Sequence, residues 1–140
     1  MPEEPVLPVL PALLDVIDGI AILTINNARK RNALSLAVLA ALKTHLEDIR
    51  EDPGVRVVVV RSHGPAFSSG YDLSEMAGRD EEGYRSLFAA YAEVMEAIRL
   101  LPKPVIAQVQ GLATAAGSEL VAAATWPSRP TPPPSPLRES

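Results

Sequence analysis

The stretch Lys103-Pro-Val-Ile-Ala-Gln-Val-Gln-Gly-Leu-Ala-Thr-Ala-Ala-Gly-Ser-Glu-Leu-Val121 decides the fold expected for this chain. Residues 104–109 form an apolar run that predicts a buried strand, Gly111 ends it, and the small residues 113–117 lead into a helix. The first N–H groups of a helix lack partners inside it and, with the helix dipole, stabilise negative charge. Glu119 falls in the first turn, so the stretch predicts an oxyanion site beside an acid/base group. An ordinary strand, turn and helix packed through alanines has the same pattern.

The length and composition predict one soluble domain with a modest core, and they exclude several classes of function. The chain has 140 residues, of which 47% are hydrophobic, and a net charge of -4, which argues against a nucleic-acid partner. It has no cysteine, so disulfides, thiol nucleophiles and zinc–thiolate sites are excluded. No apolar run reaches the length of a membrane span. The N-terminus is acidic and proline-rich, unlike a signal or transit peptide, so we expect a cytoplasmic location.

The first elements are predicted to form a hairpin. Residues 1–11 are punctuated by prolines and read as a flexible lead. Residues 13–17 and 20–26 are apolar runs separated by Asp18-Gly19, and such a pair between two runs is a strong hairpin signal.

A short basic cluster follows the hairpin. Arg29, Lys30 and Arg31 are consecutive in the loop 27–32. This loop is either a solvated turn or a landing place for phosphates, since guanidinium and ammonium groups pair well with phosphate oxygens.

The middle of the chain alternates helices and strands. Ser35 can cap a helix running to residue 51, and residues 55–61 are a short apolar run expected to be a strand buried on both faces. This order implies a crossover connection and an α/β layer. A second amphipathic helix is predicted over residues 81–101, with its aromatic side chains in the core.

The loop between the strand at residues 55–61 and this helix can approach a ligand. Within residues 63–73, Gly64 and Gly70 permit unusual backbone angles, and Ser68 and Ser69 are small. Loops beyond the carboxyl end of a parallel strand are where α/β sheets bind ligands. A flexible turn before the next helix is the alternative.

Three segments together resemble the crotonase, or enoyl-CoA hydratase/isomerase, superfamily. They are Arg31-Asn-Ala-Leu34, Phe67-Ser-Ser-Gly-Tyr-Asp-Leu73, and the opening stretch from Pro104-Val-Ile-Ala to Gly117-Ser-Glu119. The resemblance covers residues 13–123 and implies an α/β fold that is the N-terminal part of a ββα spiral, incomplete here. It implies a partial crotonase domain over residues 12–123.

The resemblance also implies a site. In the family, two main-chain N–H groups bind the thioester oxygen of an acyl-CoA and stabilise its enolate; by motif position these belong to Tyr71 and Ala116. Such an oxyanion donor contributes roughly 3–4 kcal/mol to the transition state. By the same resemblance the coenzyme A path is lined by Ala33, Leu34, Ser69, Asp72 and Leu73, with Arg29 and Arg31 near its phosphates.

The activity implied is hydration or isomerisation of an enoyl-CoA in fatty acid metabolism, the work of a lyase or isomerase. Hydratases of the family use two glutamates to activate water and deliver a proton. Glu119 matches the first; Glu139 falls at the spacing of the second, but its surroundings are not those of the family and the role is not carried over. No metal and no cofactor are expected, since coenzyme A is part of the substrate.

Residues 124–140 differ from the rest of the chain. They have no periodicity and are crowded with proline, so we expect a disordered tail outside the family resemblance, with an SH3-type ligand as the alternative. The codons of this tail, read one base earlier, permit Cys-Asp-Leu-Ala-Val-Ala-Ser and later Phe-Ala-Thr-Pro-Gly, as family members continue. We therefore expect a frameshift near residues 119–124 of a longer gene. Chance is the alternative, because serine, proline, alanine and threonine codons are permissive.

Three hypotheses follow for the chain as written. The first is a truncated crotonase-type protein that is inactive as a hydratase, and that lacks the C-terminal contacts of a family homo-oligomer, a trimer or hexamer. The second is a non-catalytic module that binds acyl-CoA or another subunit. The third is a chain without a function of its own.

Overall fold

The computed structural model describes residues 10–124. The predicted lead falls almost entirely outside these residues, and so does nearly all of the proline-rich tail predicted over residues 124–140. The frameshift predicted near residues 119–124 stays a prediction. Within this described part, six strands and four helices follow one another in the order β1 (Ala12–Ile17), β2 (Ile20–Ile25), α1 (Leu36–Glu51), β3 (Val57–Ser62), β4 (Ala66–Ser68), α2 (Leu73–Met76), α3 (Glu81–Arg99), β5 (Val105–Ala107), β6 (Leu112–Ala113) and α4 (Ala116–Ala123), with a 3₁₀ turn at Ala28–Lys30.

The predicted hairpin between β1 and β2 is confirmed. The strands pair antiparallel from Ala12 opposite Ile25 to Ile17 opposite Ile20. Asp18 and Gly19 have φ angles of 51° and 80°, and both central residues of a type I′ turn need a positive φ. The Asp-Gly pair therefore fixes the register of the first two strands.

The main sheet is mixed, as the predicted α/β layer requires. Its strand order is β1-β2-β3-β5, and β2, β3 and β5 run parallel to one another. One face carries Leu23, Val58 and Val105, each fully buried, and packs into a single hydrophobic core with the apolar stripes of α1 and α3. The helices thus lie on this face of the sheet.

The opposite face of the sheet corrects one prediction. Residues 57, 59 and 61 of β3 are only half-buried, whereas 58, 60 and 62 are buried. Ile17 and Ile20 at the hairpin end are 51% and 38% exposed. Burial of this strand on both faces is therefore wrong for the part of the chain described, because the core-forming helices pack on one face only.

Helices α1 and α3 each begin after a residue whose side chain caps the helix. The Ser35 side chain accepts a hydrogen bond from the Val38 N–H (3.2 Å), so the predicted start of α1 is confirmed. The Asp80 carboxylate accepts one from the Gly83 N–H (2.8 Å) at the start of α3. α3 ends at Arg99, two residues before the predicted end. None of the helices among residues 10–124 is both long and apolar enough to cross a membrane.

The strand predicted over residues 104–109 is shorter than expected. β5 has three residues, of which only Val105 is buried. The Gln108 N–H still donates to the Val60 C=O (2.9 Å), but residues 108–110 are exposed. The chain leaves the main sheet there because it joins a second, smaller one.

The smaller sheet brings the three sequence motifs together. β4 and β6 pair parallel, and Leu34 forms an isolated parallel bridge with Tyr71. The segment after the basic turn, the loop after β4 and the turn before α4 therefore meet at one place.

Candidate functional site

The loop at Gly70 lies directly against the turn that starts α4. Gly70 has a φ of +93°, and a Cβ added to it would lie 2.9 Å from the Thr114 carbonyl oxygen and 3.1 Å from the Ala116 nitrogen. Only glycine combines this backbone angle with this close approach. The two segments that the sequence analysis paired are therefore in contact.

The turn into α4 has an unusual backbone. Ala115 has φ 49° and ψ -119°, a backbone conformation that residues with a side chain rarely adopt. A hydrogen bond from the Gly117 N–H to the Thr114 C=O (2.8 Å) closes the turn. Such strain costs about 1–3 kcal/mol and concentrates at functional sites.

The two N–H groups named by the sequence are unpaired here. Neither the Tyr71 N–H nor the Ala116 N–H donates a hydrogen bond to any of residues 10–124. Ala116 is the first residue of α4, where the helix dipole adds positive potential. Unpaired N–H groups at such a place can donate hydrogen bonds to an anionic oxygen.

Two polar side chains that the sequence analysis did not assign to the site hold the Gly70 loop. The Ser68 hydroxyl, fully buried, donates to the Asn32 C=O (2.8 Å) and accepts from the Gly70 N–H (3.2 Å). The Asn32 amide donates to the carbonyls of His63 (2.8 Å) and Ala66 (2.9 Å). In the sequence, the only signal for these two residues is their position inside two of the motifs. A motif position does not show which groups a side chain bonds.

A cleft of about 540 Å³ opens on one side of Tyr71. Its walls include Phe88, Tyr91 and Met95 of α3 and Glu119 of α4. The Tyr71 ring packs on Tyr91, with centroids 4.3 Å apart, and meets Phe88 edge-on at 5.7 Å. The sequence analysis assigned these α3 aromatics to the core, because helical spacing gives a face of the helix but not what lies opposite it.

The Glu119 carboxylate is exposed and acts on both tyrosines electrostatically. Burial raises the pKa of the Tyr71 hydroxyl, and the charge of Glu119 raises it further. The pKa of Tyr91 is raised well above its usual range, first by burial and then by Tyr71 and Glu119. Glu119 thus adds a charge to a cleft whose lining also includes Glu96 and Arg99 of α3.

A second cavity of about 410 Å³ is also lined by Tyr71. Its lining brings together four residues predicted for the coenzyme A path and adds three others: Ala33, Ser69, Asp72 and Leu73, with Lys30, Ser74 and Ala115. Both cavities therefore border Tyr71.

Asp72 is fixed inside this second cavity. Its carboxylate accepts hydrogen bonds from the Ser74 hydroxyl (2.5 Å) and N–H (3.0 Å), and it pairs with the Lys30 ammonium at 3.3 Å. The Ser74 hydroxyl, together with its N–H and Lys30, lowers the pKa of Asp72 against the opposing effect of burial.

The remaining predicted residues lie elsewhere. Leu34 is 1% exposed and belongs to the core, and its N–H donates to the Gly70 C=O (2.7 Å). Arg31 is exposed and lines a separate small cavity of about 230 Å³, while Arg29 is exposed in the 3₁₀ turn. Of the three consecutive cations, Lys30 is the one that lines the second cavity, because neighbouring side chains in a turn point in different directions.

Comparison with known proteins shows the family of the chain. Residues 15–126 match the family described as enoyl-CoA hydratase/isomerase. A rat protein named enoyl-CoA hydratase domain-containing protein 3, mitochondrial, is 44% identical over 106 residues, which are 75% of this chain and 35% of that protein. The chain therefore spans about a third of the length of the curated relatives it matches.

Solved structures give the same result for the fold. The human enoyl-coenzyme A hydratase domain-containing protein 3 superposes with a TM-score of 0.78 at 39% identity, covering 81% of this chain and 46% of that one. An enoyl-CoA hydratase from Mycobacterium smegmatis gives 0.79 at 46% identity, covering 81% and 45%. The expected fold, the N-terminal part of the crotonase spiral, is confirmed, and the chain belongs to the enoyl-CoA hydratase/isomerase family.

Proposed function

We propose that the chain binds an acyl-CoA thioester across the Gly70 loop, and that the N–H groups of Tyr71 and Ala116 stabilise the enolate form of that thioester. The contact between Gly70 and the Thr114–Ala116 turn carries the proposal, because it brings together two N–H groups that have no acceptor among residues 10–124. Each such donor contributes roughly 3–4 kcal/mol when it is aimed at the developing oxyanion.

The two cavities divide the substrate between them. The coenzyme A part would lie in the cavity lined by Ala33, Ser69 and Asp72, with Lys30 as its nearest cation. The acyl part would enter the cleft between α3 and α4. The thioester would then pass over Tyr71, which lines both.

Glu119 is the acid/base candidate for hydration or isomerisation. It lies one turn into the helix whose first N–H is a proposed donor, and its carboxylate is on the wall of the acyl cleft. A hydration needs a second proton carrier, and none is assigned, so we expect the chain to bind thioesters with little turnover of crotonyl-CoA. Robust hydration would overturn that expectation.

A β-ketoacyl thioester tests the oxyanion site directly, because its enolate absorbs light differently from its keto form. We expect bound acetoacetyl-CoA to lose its proton at a pH about 2 units lower than the free ligand, if one donor contributes roughly 3 kcal/mol. Ala116→Pro removes one N–H at the first position of a helix, where proline is tolerated, and should cancel much of this shift. Ala116→Gly keeps the N–H and is the matched control.

The outcomes separate two functions. An unchanged enolate equilibrium in bound acetoacetyl-CoA, or an equal shift in Ala116→Pro, would contradict enolate stabilisation and leave the non-catalytic acyl-CoA-binding module. Absence of binding by calorimetry would contradict both. The circular dichroism melt of each variant shows whether it is folded.

Assembly and location stay predictions. We propose that the homo-oligomer expected of the family, a trimer or hexamer, depends on C-terminal contacts. The rat relative is named as mitochondrial, and a cytoplasmic location of this chain is untested; fluorescence microscopy of a tagged chain decides it.

A further inference from the structure

Strand β6 forms an open edge of the smaller sheet. It pairs with β4, and the loop that continues β4 is in turn hydrogen-bonded to residues 31–34. Within residues 10–124, β4 is the only strand that pairs with β6. The outer side of β6 is therefore where this sheet can gain another strand.

The segment that leads into β6 offers main-chain groups and apolar side chains together. The N–H and C=O groups of residues 109–111 form no hydrogen bond with any of residues 10–124. Two large apolar side chains of the segment are exposed, Val109 by 45% and Leu112 by 65%. An added strand binds through both kinds of group, because main-chain hydrogen bonds hold it and side-chain contacts set its register.

The sequence of this edge lacks the features that block pairing. Natural proteins protect edge strands with charged side chains or with proline. β1, the outer strand of the main sheet, has Asp15 within it. Residues 105–118 contain neither a charged residue nor a proline. Two copies of this segment can therefore lie side by side without placing like charges opposite each other, which would destabilise the pair.

We propose that two copies of this chain pair antiparallel through residues 108–113 about a two-fold axis, which joins their smaller sheets into one. A two-fold interface uses the same patch on both subunits, so an uncharged edge that can pair with itself suits a second copy of the chain. In the register that places Val109 opposite Leu112 of the partner subunit, both exposed apolar side chains gain a cross-strand neighbour. The inference does not depend on acyl-CoA binding.

Sedimentation equilibrium on the full 140-residue chain tests this over a wide range of concentration. We expect the average mass to rise to twice that of the monomer and to stop there. Leu112→Lys places a charge on the edge and should stay monomeric over the same range. Because Leu112 is exposed, the melting temperature of this variant should match that of the wild type. Leu100→Lys is the matched control: Leu100 is 61% exposed and lines the groove between α1 and α3, so this variant should dimerise as the wild type does.

Cysteine crosslinking tests the register, because the chain has no cysteine of its own. Val109→Cys and Leu112→Cys, mixed and oxidised, should form a covalent dimer, since residues opposite each other on neighbouring strands lie within the reach of a disulfide. Each variant oxidised alone should give little covalent dimer, because its two thiols lie too far apart in this register.

Four results would overturn the proposal. The first is a chain that stays monomeric at every concentration, whether another part of the chain or only water covers the edge. The second is a Leu112→Lys variant that dimerises like the wild type. The third is a mass that continues to rise beyond the dimer, because a two-fold pair is closed. The fourth is a dimer whose mixed cysteine variants do not crosslink, because that dimer uses another surface or register.

Discussion

Replacing Gly117 by alanine should destabilise the protein, although the residue lies inside a helix. In an exposed helix interior, alanine is about 1 kcal/mol more favourable than glycine. In α4, however, a Cβ at residue 117 would lie 2.4 Å from the Ser68 carbonyl oxygen and 2.8 Å from the Ser68 Cβ. The sign of the effect is therefore set by packing and not by helix propensity.

The size of the effect follows from what must move. Ordinary van der Waals contact begins near 3.4 Å, so α4 and β4 would have to separate by about 1 Å. The Ser68 C=O also accepts the Thr114 N–H (3.1 Å), so moving it weakens a hydrogen bond of about 1 kcal/mol. Overpacking of this kind costs about 1–3 kcal/mol, and the propensity gain offsets about 1 of it. We expect a net loss of about 1–3 kcal/mol in the free energy of unfolding.

Urea denaturation followed by far-UV circular dichroism measures this loss, and Gly83→Ala provides the control. Gly83 also lies in a helix, but its added Cβ would meet side-chain atoms of Asp80 (3.1 Å) and Arg79 (3.2 Å), with no main-chain atom among the nearest. We expect that control to lie between no change and a gain of about 1 kcal/mol. If Gly117→Ala were as stable as the wild type, the close approach of α4 to β4 would be wrong, and with it the position of the Ala116 N–H.

Two further changes test the turn and the second cavity. Ala115→Gly removes the strain of a positive φ, about 1–2 kcal/mol, and adds about 0.4–1 kcal/mol of unfolded-state entropy, so urea denaturation should show stability unchanged or raised by up to about 1.6 kcal/mol; a clear loss would contradict the strained turn. The pKa of Asp72 is lowered from 3.8 in the folded state, so its charge adds stability that is present above that pH and lost as the pH falls through the folded value. Asp72→Asn should therefore be less stable by about 1 kcal/mol at neutral pH, and urea midpoints should converge with the wild type in acid; an equal difference at both pH values would contradict the role of the charge.

The elements that the sequence predicted well are those with local causes. The Asp18-Gly19 turn and the Ser35 cap act over two to four residues, and both elements begin where these signals stand. The strand over residues 104–109 was predicted too long because after Ala107 the chain leaves β3 and goes on to pair with β4, which no local pattern contains. Helix α2 and the strands β4 and β6 have two to four residues each, and contacts distant in sequence hold them.

The candidate site divides in the same way. Tyr71 and Ala116 were named by motif position, and the structure places their segments side by side. The role of Asn32 and Ser68 was missed because each acts through main-chain carbonyls more than 30 residues away in sequence. Tyr91 was assigned to the core, and it is buried, but the cleft beside it depends on where α4 packs.

The loop 68–70 and the turn 114–117 form one interlocked unit. Gly70 packs against Thr114 and Ala116, and Gly117 packs against Ser68, so each segment contributes one glycine that the other segment covers. Two hydrogen bonds join the same two segments: the Thr114 N–H donates to the Ser68 C=O (3.1 Å), and the Thr114 hydroxyl donates to the Ser69 C=O (3.2 Å). Because the contacts that set the spacing of the two N–H groups are mainly main-chain contacts, the side chains around them can vary as long as both glycines stay. The absence of two Cβ atoms therefore constrains this geometry, and one glycine in each of two separate motifs is the sequence signal of their contact.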